Sequence, residues 1–144
     1  LLLAALWLAL IWQLSSLPSR DEPRHFAQGW LANSAHAPLF GLLALWCALA
    51  LPRADGWPRL TPRSGCAIVL FVLGYGILDE LHQSTVAGRD ASSLDILTDV
   101  VGAICTLWLA SYAGAATATA RGVGARLAAG LAACALAGLA ATLF

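Results

Sequence analysis

Three short segments hold most of the residues able to do chemistry: Ser34-Ala-His36-Ala-Pro-Leu-Phe40, then Asp79-Glu80-Leu-His82-Gln83, then Arg89-Asp90-Ala-Ser92-Ser93-Leu-Asp95 with Asp99 following. Imidazoles can pass protons, carboxylates can accept hydrogen bonds or ligate cations, and a guanidinium can hold an oxyanion. Spacing gathers them further. On a helix, steps of three and four put Tyr75, Asp79, His82 and Gln83 on one face and turn Glu80 about 100° away. Asp95, Asp99, Gly102 and Thr106 repeat the pattern, and Gly102-x-x-x-Thr106 is a small-residue face suited to close packing. Acids that share a face with packing residues should point into a bundle, because a charge facing lipid costs at least about 2.5 kcal/mol at mid-helix depth. The candidate site is therefore His36, Asp79, Glu80, His82, Gln83, Arg89, Asp95 and Asp99.

Plainer roles stand beside this one. Ser92-x-x-Asp95 fits a capping box, which gives Asp95 a purely local task, whereas Asp99 lies beyond the cap. His36 can be an interfacial histidine without a task, His25 more so, and Glu80 can reach head groups or solvent. If the site forms, four acids face Arg89 and any protonated histidine, and they cannot all stay ionised and unpaired in a low-dielectric region. Shared protons, an Arg89 ion pair, a hard divalent cation or a cationic head group would each neutralise them. Arg89 is expected to organise the group by pairing with Asp79, Asp95 or Asp99, with Asp90 as its local rival. His36 or His82 could act as a base oriented by an acid, but no activated Ser or Cys nucleophile and no metal motif is recognisable. No cofactor is expected; a divalent cation is the one inorganic partner the cluster suggests.

Such a site needs helices to hold it, and composition supplies them. Of 144 residues 60% are hydrophobic and 11% charged, far below the roughly one quarter usual in soluble domains. Uncharged runs recur along the whole chain and do not alternate with period two, which predicts an all-α, polytopic transmembrane helical bundle of five helices. They cover residues 1 to 19, 33 to 51, 64 to 78 with a polar extension through Gln83, 94 to 112, and 127 to 144. The third run is too short to cross without its acidic extension, so the acids belong at the membrane boundary. Residues 1–112 form the predicted four-helix membrane domain, and 113–144 a cytoplasmic linker with a fifth transmembrane helix. Five arginines in the 2-3 and 4-5 loops, against three in the 1-2 and 3-4 loops, put the amino terminus in the cytoplasm and the polar site on the outer face. Cys47, Cys66, Cys105 and Cys134 stand singly in or beside apolar runs and are read as packing residues. The balanced charge gives no basic field for nucleic acid. The chain opens on Leu1 without any Met, so residues are expected to precede it.

The segments resemble the VanZ-like family, named for a membrane protein associated with teicoplanin resistance. The likeness lies in Ser15-Ser-Leu-Pro18, in His36 with Phe40, in Asp79-Glu80-Leu-His82-Gln83, in Gly88-Arg89 and in Asp95, and it spans roughly residues 11 to 110. The family usually carries Asn where this chain has Asp99, followed by the glycine matched by Gly102. The resemblance implies a bacterial cell-membrane protein working at the envelope on lipids, lipid-linked wall precursors or glycopeptide access. A membrane enzyme acting on a lipid-linked phosphate or glycan, and an ion-coupled transporter, are the alternatives. Membrane lipids are the expected partners, and no pattern specifies an oligomeric state.

Overall fold

The computed structural model describes residues 1–18, 25–89 and 92–143. Among these, six helical segments form five rods: α1 (Leu2–Ser15), α2 (Phe26–Ser34) running into α3 (His36–Leu49), α4 (Pro62–Gln83), α5 (Ser93–Ala113) and α6 (Ala120–Leu143). Four rods are long and apolar enough to cross a membrane, namely Phe26–Leu49, Pro62–Gln83, Ser93–Ala113 and Ala120–Leu143. The fourteen residues of α1 are apolar but span only about 21 Å at 1.5 Å per residue. The chain is an all-α bundle and a multi-pass membrane protein. Large apolar side chains such as Leu70, Phe71, Leu81, Ile104 and Leu136 cover its outside, as contact with hydrocarbon requires.

Local chemistry accounts for the boundaries. The second rod starts at Phe26, ahead of the expected Asn33, where the His25 amide donates to the Gln28 side chain at 3.2 Å. It breaks at Ala35 because Pro38, four residues after Ser34, has no N–H to give the Ser34 carbonyl. Thr61 caps α4, accepting from the Ser64 amide at 3.2 Å with Pro62 in the first turn. Helix α4 continues to Gln83, so the acidic extension is helical. Helix α6 begins at Ala120, ahead of the expected Leu127, and takes Arg121 and Arg126 into its first turns. The Arg126 guanidinium lies 3.6 Å from the Tyr112 ring centroid. A small hairpin, β1 (Arg53–Ala54) with β2 (Trp57–Pro58), joins α3 to α4. It turns at Asp55-Gly56, with φ of 51° and 80°, the left-handed pair that tight hairpins favour.

Helix α5 is central, packed against α3, α4 and α6; α1 leans on α3 and α4, and α6 also meets α2. Lipid tails are as apolar as leucine, so close packing rather than removal of area from water must hold such helices together. The predicted small-residue face does this. A Cβ on Gly102 would strike the Ala37 backbone, and one on Gly41 would sit 2.7 Å from Thr106 Oγ1 and 3.1 Å from the Gly102 carbonyl oxygen. Ile11, Phe40, Leu43, Ala44, Val72 and Ala103 pack beside this seam. Helix α1 is pinned by two hydrogen bonds, Trp7 Nε1 to the Leu39 carbonyl (2.7 Å) and Tyr75 Oη to the Leu8 carbonyl (2.8 Å).

Candidate functional site

The polar ends of α3, α4 and α5 converge. His36 opens α3 and places Nδ1 3.1 Å from Asp99 Oδ1, the one ion pair among the described residues. Asp99 has no exposure, and it fits there because α4 presents Gly76, whose Cβ would lie 2.8 Å from Asp99 Oδ2. One nitrogen of His36, one oxygen of Glu80 and one oxygen of Asp95 all lie within 4.8 Å of one another.

The buried stripe of α4 is Ile68, Val72, Gly76, Asp79, Glu80 and Gln83. It is rotated from the expected Tyr75-Asp79-His82-Gln83 stripe, and two expectations change with it. Glu80, set about 100° off the expected stripe with head groups or solvent as its plainer destination, is buried; its Oε2 accepts the Ser92 amide at 2.7 Å. His82 leaves the group and turns to α1, where it stacks on Trp12 at 3.9 Å between ring centroids and meets Ser16 Oγ at 2.9 Å. The apolar pair Ile68 and Val72, followed four residues later by Gly76 and four more by Glu80, was the sequence signal for the rotated face.

The expected capping box at the start of α5 is closed differently. Ser92 Oγ does accept the Leu94 amide at 3.2 Å, but the Ser92 amide goes to Glu80 across the helix gap. Asp95 is thereby released from the local task and contributes to the cluster.

Arg89 touches no helical carboxylate among the described residues. It donates to Gln83 Oε1 (3.2 Å) and to the carbonyls of Leu14 (2.9 Å) and Leu17 (3.2 Å). Gln83 Nε2 passes the link on to Asp79 Oδ2 at 2.9 Å. The direct ion pair expected of Arg89 is thus replaced by a relay, because three fixed acceptors already occupy its fork. Its rival Asp90 lies outside the described residues, as do Arg20 and Arg24 of the 1-2 loop.

The result is a centre rich in acceptors and poor in donors. Asp79 Oδ1, Glu80 Oε1, Asp95 Oδ1 and Asp99 Oδ2 are buried and have no hydrogen-bond partner among the described residues. A buried acceptor left without a partner costs about 1 to 3 kcal/mol, more when charged, so four in one place are not explained by folding alone. Beside the centre lies an apolar cavity of about 540 Å³ between α2, α3, α5 and α6. Ser34, Ala37 and Pro38, flanking His36, line it together with Cys105 and Leu131, and Arg126 stands among the lining residues as well.

Spanning helices with a buried His/Glu/Asp group at one end of the bundle define a multi-pass membrane protein with a polar centre. The chain belongs to the VanZ/LLP1 family, whose model matches residues 1–114, with α6 outside the match. No curated protein and no solved structure matches it.

Proposed function

We propose that the chain acts at the cell envelope by binding an amphipathic component of the bilayer, a lipid or a lipid-linked wall precursor. The apolar chain would lie between α2, α3, α5 and α6, and the head group at the His36–Asp99 end. The observation that carries this reading is the cavity's lining: the residues that flank His36 in the polar centre also wall an apolar space of about 540 Å³. That is the head-and-tail division an amphiphile requires. The arginine distribution supports an outward-facing centre. In a background without the four native cysteines, a cysteine at Thr85 should label from outside sealed cells and one at Thr61 should not; the reverse would invert the orientation.

The binding test uses phosphatidylglycerol carrying a photoactivatable acyl chain, with the chain in nanodiscs. Cross-links should concentrate in residues 127–135 of α6, fall when Leu42→Trp fills the cavity, and be displaced by undecaprenyl phosphate if the ligand is a wall precursor. Cross-links spread evenly over the four spans and indifferent to Leu42→Trp would sink the reading. A membrane enzyme acting on a lipid-linked phosphate is the second reading, favoured by the His36–Asp99 pair, in which a buried carboxylate orients an imidazole as it would a general base.

A further inference from the structure

We propose that His36, Glu80 and Asp95 bind one divalent transition-metal ion, zinc or manganese, with Asp99 positioning His36 from behind. The assignment deepens the amphiphile reading, on which it rests for the ion's role and not for its binding: the metal would hold the phosphate of a head group that the acids alone would repel.

Geometry comes first. Metal–ligand bonds to imidazole nitrogen and carboxylate oxygen run about 2.0 to 2.2 Å, so ligand atoms around a tetrahedral ion sit about 3.3 to 3.6 Å apart. The three donor atoms lie within 4.8 Å of one another, a spread that such an ion closes with small rotamer adjustments. The donor set is one imidazole and two carboxylates from three different helices, which suits zinc or manganese better than magnesium, whose preferred ligands are all oxygen.

Three further observations point to a ligand and do not depend on those separations. Glu80 and Asp95 are more than nine-tenths buried, and each keeps an oxygen with no partner among the described residues. The Nδ1 of His36 is engaged by Asp99, which leaves Nε2 as the ring's available lone pair. A carboxylate behind a ligating histidine is the usual outer arrangement of metal sites, fixing both tautomer and ring orientation. Finally, the Arg89 guanidinium spends its hydrogen bonds on Gln83 and two carbonyls, so among the described residues the acids have no direct ion pair other than that of Asp99 with His36. Three protein ligands leave coordination positions open, and a phosphate oxygen is a natural occupant.

The test uses the full chain in phosphatidylcholine nanodiscs, stripped with chelator and then equilibrated with zinc chloride or manganese chloride. After desalting, elemental analysis should find one ion per chain. Glu80→Gln and Asp95→Asn should each weaken retention at least tenfold, Asp99→Asn about tenfold through His36, and Asp55→Asn in the hairpin not at all. Zinc should raise the melting temperature of the unaltered chain, and bound manganese should show hyperfine coupling to an imidazole nitrogen; both readouts stand if a variant fails to fold. No retained ion, or retention by Glu80→Gln and Asp95→Asn equal to that of the unaltered chain, would overturn the site. If metal binding fails while cavity cross-linking persists, the metal alone falls. If metal binds and the cavity does not label, the amphiphile reading alone falls.

Discussion

The two ends of α5 treat their polar groups in opposite ways. At its carboxyl end the Trp57 indole donates to the Ala110 carbonyl at 3.0 Å, Tyr112 Oη accepts the Thr119 amide at 3.3 Å, and Arg126 rests on the Tyr112 ring. Aromatic and arginine side chains there anchor a membrane boundary, and apart from Arg126 Nε the buried polar atoms at that end have partners. At its amino end Asp95 and Asp99 join Asp79 and Glu80 in a centre with four oxygens that lack donors among the described residues. One end is solved as a structural problem. The other holds more acceptors than the fold can use, and that excess marks where function is to be sought.

The largest expected effect lies between the two ends. Gly102→Leu must push the Ala37 backbone away and separate α3 from α5, costing about 3 kcal/mol or more and replacing the folded peak with aggregate on size exclusion in detergent. A variant that melts like the unaltered chain would mean the seam does not hold these helices. The next pair sets the ends against each other. Trp57→Ala removes an indole hydrogen bond and the packing on Gly114, and should lower stability by about 2 kcal/mol, less than a fully buried ring because Trp57 is partly exposed. Asp79→Asn, measured in chelator, should change stability by less than about 1 kcal/mol, in the stabilising direction: the amide oxygen can still accept from Gln83, and the amide nitrogen brings a donor to a centre short of them. Thermal unfolding in one lipid composition checks both. Equal losses would erase the distinction between the ends.

The rods were legible in the sequence because apolar length alone announces a spanning helix, and Gly102 with Thr106 announced the seam. Alternating crossings account for the meeting of His36 with Asp95 and Asp99, since they bring those ends to one side, whereas Glu80, set about 100° off the shared face, joins them only through the rotation of α4. What failed was rotation. Asp79 can share a stripe with Tyr75 and His82 or with Val72 and Gly76, and only the close approach of α5, needing Gly76 beneath Asp99, decides between them. Arg89 misled for a related reason: its charge suggested an acid, while the carbonyls of Leu14 and Leu17 at and just beyond the end of α1 were invisible as partners until the chain folded back. The hairpin had a readable cue in Asp55-Gly56, hidden by its brevity between two long apolar runs.

Gly102 lies three residues after Asp99, and Ala37 directly follows His36. The contact between them is main chain against main chain, so the gap across which imidazole faces carboxylate is gauged by two peptide backbones and not by side chains that can rotate or repack. A calliper of that kind does not slacken when a neighbouring side chain repacks. The spacing of imidazole and carboxylate is read off a fixed jaw, and the setting of that jaw is held by a residue that has no side chain at all.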